Sequence, residues 1–324
     1  MIAHHSNYLL NTYARPPLLF TRGKGCKIYA TEPTSSPTSQ TGTKGEEREY
    51  LDFTAGIAVN ALGHGDAQIA ELMKDQAGKL VHSSNVCWNE YAGQLAEILV
   101  EQTKVHGGLG LSSTSGQTEG KKDGAKVFFT NSGTESNEGA LKFARLIGKA
   151  RQGSSTSNPN APAKTALVCF SNAFHGRSLG ALSVTPNPKY QTPFSPLIPD
   201  VRVGELNDFE ALEALVDENV CGVIVEPIQG EGGLNEGKRE WFEALGKRAR
   251  EVGAVLIYDE IQVGSSRGQR WGLTRMGAEL RGAALVRRIS VDFIGRARCG
   301  VTAISLRQHS EFWVSAYMIQ GFVD

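Results

Sequence analysis

Four short stretches of this sequence gather side chains able to do chemistry, and each follows an apolar run of strand length. Asn131-Ser132-Gly133-Thr134-Glu135 follows KVFFT (126–130). Ser132 and Glu135 have the spacing of a capping box. Gly133 lets backbone approach a ligand closely, and a helix N-terminus there suits an anion such as phosphate. A plain helix cap explains the same residues without a ligand. SNAFHGR (171–177) follows TALVCF (165–170). Phe174 can cover a planar ring, His175 brings an imidazole, and Arg177 can grip a carboxylate with two parallel hydrogen bonds. The alternative is a surface loop with one anchoring Phe.

EPIQGEGG (226–233) follows VCGVIV (220–225). Its Glu226 sits near a sheet end, where a buried carboxylate needs a cation or donors; a structural ion pair is the simpler reading. Asp259-Glu260-Ile261-Gln262 follows AVLIY (254–258). An Asp-Glu pair after an apolar strand also fits the Mg²⁺ end of an ATPase. That reading requires G-x-x-x-x-G-K-[ST] upstream, and no Gly-Lys pair here is followed by Ser or Thr. A G-x-G-x-x-G fingerprint is missing too. One ligand satisfies all four ends. Pyridoxal phosphate has a phosphate for Ser132–Thr134, a flat ring for Phe174, and a ring nitrogen that gains positive charge beside Asp259.

The elements that must position these groups alternate. The sequence predicts strands over 126–130, 165–170, 220–225 and 254–258, with helices over 134–151 and 239–252. The second helix is amphipathic through Trp241, Phe242, Leu245 and Ala249. Short continuous apolar strands between helices mean a mostly parallel sheet covered on both faces. Residues 67–263 therefore read as an α/β doubly wound domain, whose ligands bind at the carboxyl ends of the strands. Thr31–Arg48, His106–Gly124 and Gln152–Lys164 are rich in Ser, Thr, Gly, Pro or Asn and read as surface loops.

Composition narrows the function. The 324 residues carry 34 Lys+Arg against 34 Asp+Glu, so the basic excess of a nucleic-acid binder is lacking. No apolar run approaches the roughly 18–20 residues that span a bilayer. Five scattered Cys and seven His show no metal-ligand spacing, so no metal is expected, and the thiols read as reduced. Met1–Pro17 lacks the features of a secretory signal or an Arg-rich presequence.

The zero net charge hides two unlike parts. Residues 1–259 hold 25 basic and 29 acidic side chains, whereas residues 260–324 hold 9 and 5. All nine basic residues of the tail are Arg, and the last Lys is Lys247.

Six blocks in order then make the sequence familiar: LLNTYARPP (9–17), YLDFTAGIAVNALGH (50–64), NSGTESNEGALKFAR (131–145), FHGRSLGALSVT (174–185), VEPIQGEGG (225–233) and LIYDEIQ (256–262). Together they resemble the class III pyridoxal-phosphate aminotransferases. The resemblance implies the aspartate-aminotransferase-like fold (fold type I). Residues 1–66 would be the N-terminal segment of the small domain and 67–263 an incomplete large cofactor-binding domain. It implies that Ser132, Gly133 and Thr134 hold the cofactor phosphate, and that Phe174 stacks on the ring with His175 beside it. Asp259 would pair with the ring nitrogen, with Gln262 near the ring hydroxyl. Arg177 would clamp the substrate α-carboxylate, with Glu226 on the substrate side. It also implies a homodimer, amino-acid and 2-oxo-acid substrates, and a mitochondrial location, with the cytoplasm as the alternative.

The family expects a Schiff-base Lys downstream of the D-E-x-Q strand. No Lys stands anywhere from 248 to 324, so no catalytic lysine is assigned. The match fades after Gly264, and residues 264–324 read as a divergent tail foreign to the fold, with the C-terminal small domain missing. Two accounts stay open: a coding sequence misread past Gly264, or a true Lys-less homologue. In the family it resembles, the FHGR form of the loop goes with acetylornithine-type substrates, so the resemblance implies amino transfer from N2-acetylornithine to 2-oxoglutarate, a step in arginine synthesis. Ornithine or 4-aminobutyrate transamination and a non-catalytic dimer partner are the alternatives. Little or no turnover is expected of this chain.

Overall fold

A computed structural model describes residues 2–31, 46–60, 62–105, 126–155, 163–262, 283–288, 302–304 and 315–318. The chain divides into two compact units, residues 1–81 and 82–324. Most of the three expected surface loops lies outside the described residues.

The first unit holds a helical turn α1 (Ile2–His5) and an antiparallel sheet in the order β1 (Leu19–Lys24), β2 (Lys27–Thr31), β3 (Glu47–Leu51). A turn α2 (Ala55–Ala58) and helix α3 (Ala67–Ala77) follow. Asp66 starts α3 by accepting hydrogen bonds from the Gln68 and Ile69 N–H groups, two of the donors a helix start leaves unpaired.

The second unit runs α4 (Glu90–Val105), β4 (Phe128–Thr130), α5 (Gly133–Ser155), β5 (Ala166–Phe170), α6 (Leu179–Ser183), α7 (Pro188–Gln191), β6 (Val201–Gly204), α8 (Leu212–Leu215), β7 (Val220–Val225), α9 (Arg239–Val252) and β8 (Val255–Glu260). The backbone strands β9 (Ala283–Arg288), β10 (Thr302–Ile304) and β11 (Ser315–Met318) complete it. The sheet order is β10-β4-β11-β9-β8-β7-β5-β6. Every ladder is parallel except those made by β10.

Every residue of β5, β7 and β8 is buried, as a sheet covered on both faces requires. Leu167, Cys169, Ile224, Val255 and Ile257 pack with Ala140, Leu141, Ala144 and Ile147 of α5. Val168, Phe170, Val223, Leu256 and Tyr258 pack instead with Trp241, Phe242, Leu245 and Ala249 of α9. The alternation is the period of two that strand geometry imposes. Helix α9 has the expected bounds and ends on Gly253, whose φ of 70° is left-handed, the conformation glycine supplies at a helix end. Helix α5 runs past the expected residue 151 to Ser155.

Within the stretch expected to be a divergent tail, the backbone of β9 pairs beside β8, with Asp259 opposite Val286.

Candidate active site

From β5 the chain crosses to β6 on one side, and from β7 it crosses to β8 on the other. The carboxyl ends of β5 and β7 thus flank a topological switch point, where departing loops leave a crevice. The loop after β5 carries Phe174, His175 and Arg177; the loop after β7 starts with Glu226. Asp259 stands near the end of β8, next to β7.

Asp259 and His175 are both buried, and His175 Nδ1 lies 2.8 Å from Asp259 Oδ2. A carboxylate only accepts, so the ring proton sits on Nδ1. The Asn137 amide nitrogen donates to the same Oδ2 at 2.9 Å. Oδ1 accepts only from the Ile261 N–H, at 3.1 Å, among the described residues. One oxygen is thus saturated by the protein, and the other keeps a lone pair.

The His175 backbone is fixed as firmly as its ring. Its N–H donates to Thr185 Oγ1 at 2.9 Å and its carbonyl accepts from Asn137 at 2.7 Å. Glu226 reaches across the crevice and accepts from the Phe174 N–H at 3.0 Å. Burial pushes the Glu226 carboxyl up to about 7. His175 opposes that rise, Asp259 adds to it as a like charge, and the Phe174 and Gly230 N–H groups oppose it.

At the start of α5 the capping box forms, shifted by one residue. Ser132 Oγ accepts from the Glu135 N–H at 3.2 Å, while Glu135 returns to the Asn131 N–H at 2.7 Å. Thr134 Oγ1 and Ser178 Oγ meet at 2.7 Å, tying this helix start to the loop after β5. Gly133 and Gly176 are needed for close approach. A Cβ on Gly133 would lie 2.7 Å from Ile261 Cδ1, and one on Gly176 would lie 2.3 Å from Thr134 Oγ1. Gly176 also has φ +135°, a conformation side chains rarely adopt.

Phe174 is half-buried and Arg177 exposed. The Arg177 guanidinium lies 3.6 Å over the Tyr190 ring and 5.6 Å from the Phe174 ring. Tyr190 in turn donates to Glu231 at 3.2 Å. Among the described residues Arg177 has no carboxylate partner, which leaves its fork available for one. Gln262 is exposed and takes no part in the buried network.

The structure thus brings Asp259, His175 and Glu226 together, links Thr134 to their loop, and leaves Gln262 aside. Sequence reasoning missed Asn137, Ser178, Thr185, Glu138 and Tyr190. Glu138 accepts from the Gly180 and Ala181 N–H groups at 2.7 and 3.1 Å and so holds the start of α6. Asn137 and Glu138 lie on α5 just past the Gly133–Thr134 turn, and that adjacency was the signal available for them.

The donor set fits pyridoxal phosphate in its non-covalent parts. Asp259 Oδ1 suits a protonated ring nitrogen, and Gly133 and Gly176 let Ile261 and Thr134 approach the backbone around it. The sequence has no Lys after Lys247 to bond the cofactor downstream of β8. Lys164, the buried lysine among the described residues, precedes β5 at the opposite end of the sheet and donates to the Val252 carbonyl.

A family model described as "Aminotransferase class-III" matches residues 34–280, well over half of the chain. The chain belongs to the class-III aminotransferase family. The match runs past Gly264, where the recognisable blocks end. Among its relatives is the mitochondrial acetylornithine aminotransferase of Neurospora crassa, 45% identical over 280 residues, covering 86% of this chain and 54% of that protein. The mitochondrial acetylornithine aminotransferase of Saccharomyces cerevisiae is 40% identical over 284 residues, covering 86% and 59%. The ornithine aminotransferase of Toxoplasma gondii superposes with a TM-score of 0.67 at 26% identity, covering 86% of this chain and 57% of that one. The N-acetylornithine aminotransferase of Stenotrophomonas maltophilia gives 0.57 at 28% identity, covering 86% and 58%. The fold is that of the fold type I pyridoxal-phosphate transferases. This class-III chain spans little more than half the length of these curated relatives.

Proposed function

We propose that this chain carries the cofactor-binding part of an enzyme moving an amino group from N2-acetylornithine to 2-oxoglutarate. The observation that carries the reading is the His175–Asp259–Asn137 arrangement at the end of β8, in a chain 45% identical to an acetylornithine aminotransferase. When bound, pyridoxal phosphate supplies a protonated ring that withdraws electrons from the substrate carbon. Asp259 Oδ1 would accept the ring N–H and favour its protonated form, while His175 and Asn137 hold that carboxylate through Oδ2. Phe174 covers the ring. Ser132, Gly133 and Thr134 hold the phosphate at the start of α5, where the helix dipole favours negative charge. The family resemblance would put Gln262, exposed in this structure, near the ring hydroxyl. Arg177 takes the substrate α-carboxylate, and Glu226 fixes the backbone of the Phe174–Arg177 loop.

Proton transfer at the substrate carbon needs a base of suitable position and pKa, and residues 248–324 offer no Lys for it. The expected behaviour is cofactor binding without turnover. Purified 324-residue protein is titrated with pyridoxal phosphate by protein fluorescence, then assayed for acetylornithine-dependent glutamate formation. Saturable binding with no covalent trapping by borohydride supports the reading, and failure to bind pyridoxal phosphate overturns it; measurable glutamate formation overturns the expected lack of turnover alone.

The missing Lys favours one second reading, a non-catalytic partner of an intact subunit. Co-expression with a full-length relative separates the two, because a partner forms a stable hetero-dimer. The relatives' mitochondrial names support a mitochondrial location for this protein. Exposed Phe53, Leu10 and Trp88, at 89%, 82% and 99%, support burial of further surface in a homodimer.

A further inference from the structure

The Asn137 side chain sits on the second turn of α5 and is fully buried. Its amide nitrogen reaches two groups that only accept, Asp259 Oδ2 at 2.9 Å and the His175 carbonyl at 2.7 Å. The amide orientation is therefore fixed by chemistry, since a flipped group would set its oxygen against two acceptors. Both amide hydrogens are used. The Asn137 oxygen, Oδ1, has no partner among the described residues although it is buried. A buried acceptor without a partner is unfavourable, so packing alone does not account for an amide here.

We propose that Asn137 is a positioning residue for Asp259. It acts with His175 Nδ1 on Oδ2, so the protein occupies one carboxylate oxygen twice and leaves the lone pair of Oδ1 for the ligand. It also ties that carboxylate to the backbone of the Phe174–Arg177 loop, so that the ring-nitrogen partner and the ring-covering residue keep one spacing. The inference rests on the reading of Asp259 as the ring-nitrogen partner. Asn137→Asp is not equivalent to Asn137. It removes both donors and adds a carboxylate beside Asp259 and Glu226.

The test is a double-mutant cycle in the 324-residue protein with two readouts. Asn137→Ala lowers pyridoxal-phosphate affinity about tenfold, the loss of roughly one hydrogen bond to a charged group. In an Asp259→Ala background the same change costs less than twofold, because a residue acting through Asp259 has nothing left to act on. An equal loss in both backgrounds overturns the proposal and makes Asn137 a purely structural residue. The second readout needs no cofactor. In ¹⁵N-histidine-labelled protein, the His175 Nδ1–H resonance moves on Asn137→Ala, and the movement shrinks in the Asp259→Ala background to what loss of the direct bond to the His175 carbonyl leaves. An equal movement in both backgrounds overturns the proposal. Asn137→Ser, which keeps one donor, serves if the alanine variant does not fold, with a smaller loss expected in the same cycle. If the unmutated protein binds no pyridoxal phosphate, the reading of the site fails, and the resonance cycle alone decides the role of Asn137.

Discussion

His175 and Asp259 stand 84 positions apart in the chain and meet at 2.8 Å, imidazole Nδ1 to carboxylate Oδ2, with both side chains buried. Two adjoining groups complete the unit, Asn137 on the carboxylate and Thr185 on the His175 backbone. The contact matters because it decides which carboxylate oxygen is spoken for.

Asp259→Asn tests the charge at nearly constant shape. The variant keeps an oxygen but loses the negative charge that holds a ring nitrogen protonated. Hydrogen bonds to charged groups are worth about 1.5–3 kcal/mol, so pyridoxal-phosphate affinity should fall about ten- to hundredfold. Fluorescence titration measures it, and unchanged affinity removes Asp259 from the cofactor site.

Glu226 makes stability depend on pH. Its carboxyl is raised from 4.5 to about 7, chiefly by burial. Between those values the folded chain binds more protons than the unfolded one. The contribution is fully present below about pH 4.5 and is lost as pH rises through about 7. Denaturant unfolding at pH 5 and pH 8 should show a larger drop for the native sequence than for Glu226→Gln, by on the order of 2 kcal/mol. Glutamine keeps an acceptor for the Phe174 N–H. Equal drops in the two proteins would falsify this assignment.

Gly176→Ala meets two obstacles at once. Its φ of +135° disfavours a side chain, and the new Cβ would fall 2.3 Å from Thr134 Oγ1. Thr134 would have to leave Ser178, separating the start of α5 from the loop after β5. The expected loss is at least about 2 kcal/mol, read as a lower melting temperature, with weaker pyridoxal-phosphate binding. A variant as stable as the native chain contradicts the close packing described.

Thiol reactivity should divide by exposure. Cys26 and Cys87 are exposed, whereas Cys169 and Cys221 are buried. Burial pushes the buried thiols up to about 12 and about 11, far from the thiolate that reacts. A thiol reagent at pH 8 should label Cys26 and Cys87 within minutes and Cys169 and Cys221 only on unfolding, as peptide mapping would show. Early labelling of Cys169 counts against the covered sheet.

Much of the fold was legible because its signals are local. VCGVIV and AVLIY are apolar on both faces, and only a covered parallel strand accommodates that, so β7 and β8 fall within two residues of their predicted bounds. Helix α9 repeats Trp241, Phe242, Leu245 and Ala249 on one face and buries those four. Strands β1 and β2 carry mixed polar and apolar residues and are mostly part-exposed, so no comparable pattern marked them.

The sequence by itself determined the residue types at the strand ends, the family they belong to, and the lack of Lys after residue 247. Those facts depend on chain order alone. Only the tertiary structure decided that His175 bonds to Asp259 rather than lying free beside a ring, and that Glu226 anchors the Phe174 backbone. It also decided that Asn137 joins the two, while Gln262 stays at the surface. Such contacts form between strands that are neighbours in the sheet and distant in the chain. Parallel pairing across β5, β7 and β8 brings their carboxyl ends into one crevice, and no spacing within any one segment encodes that meeting.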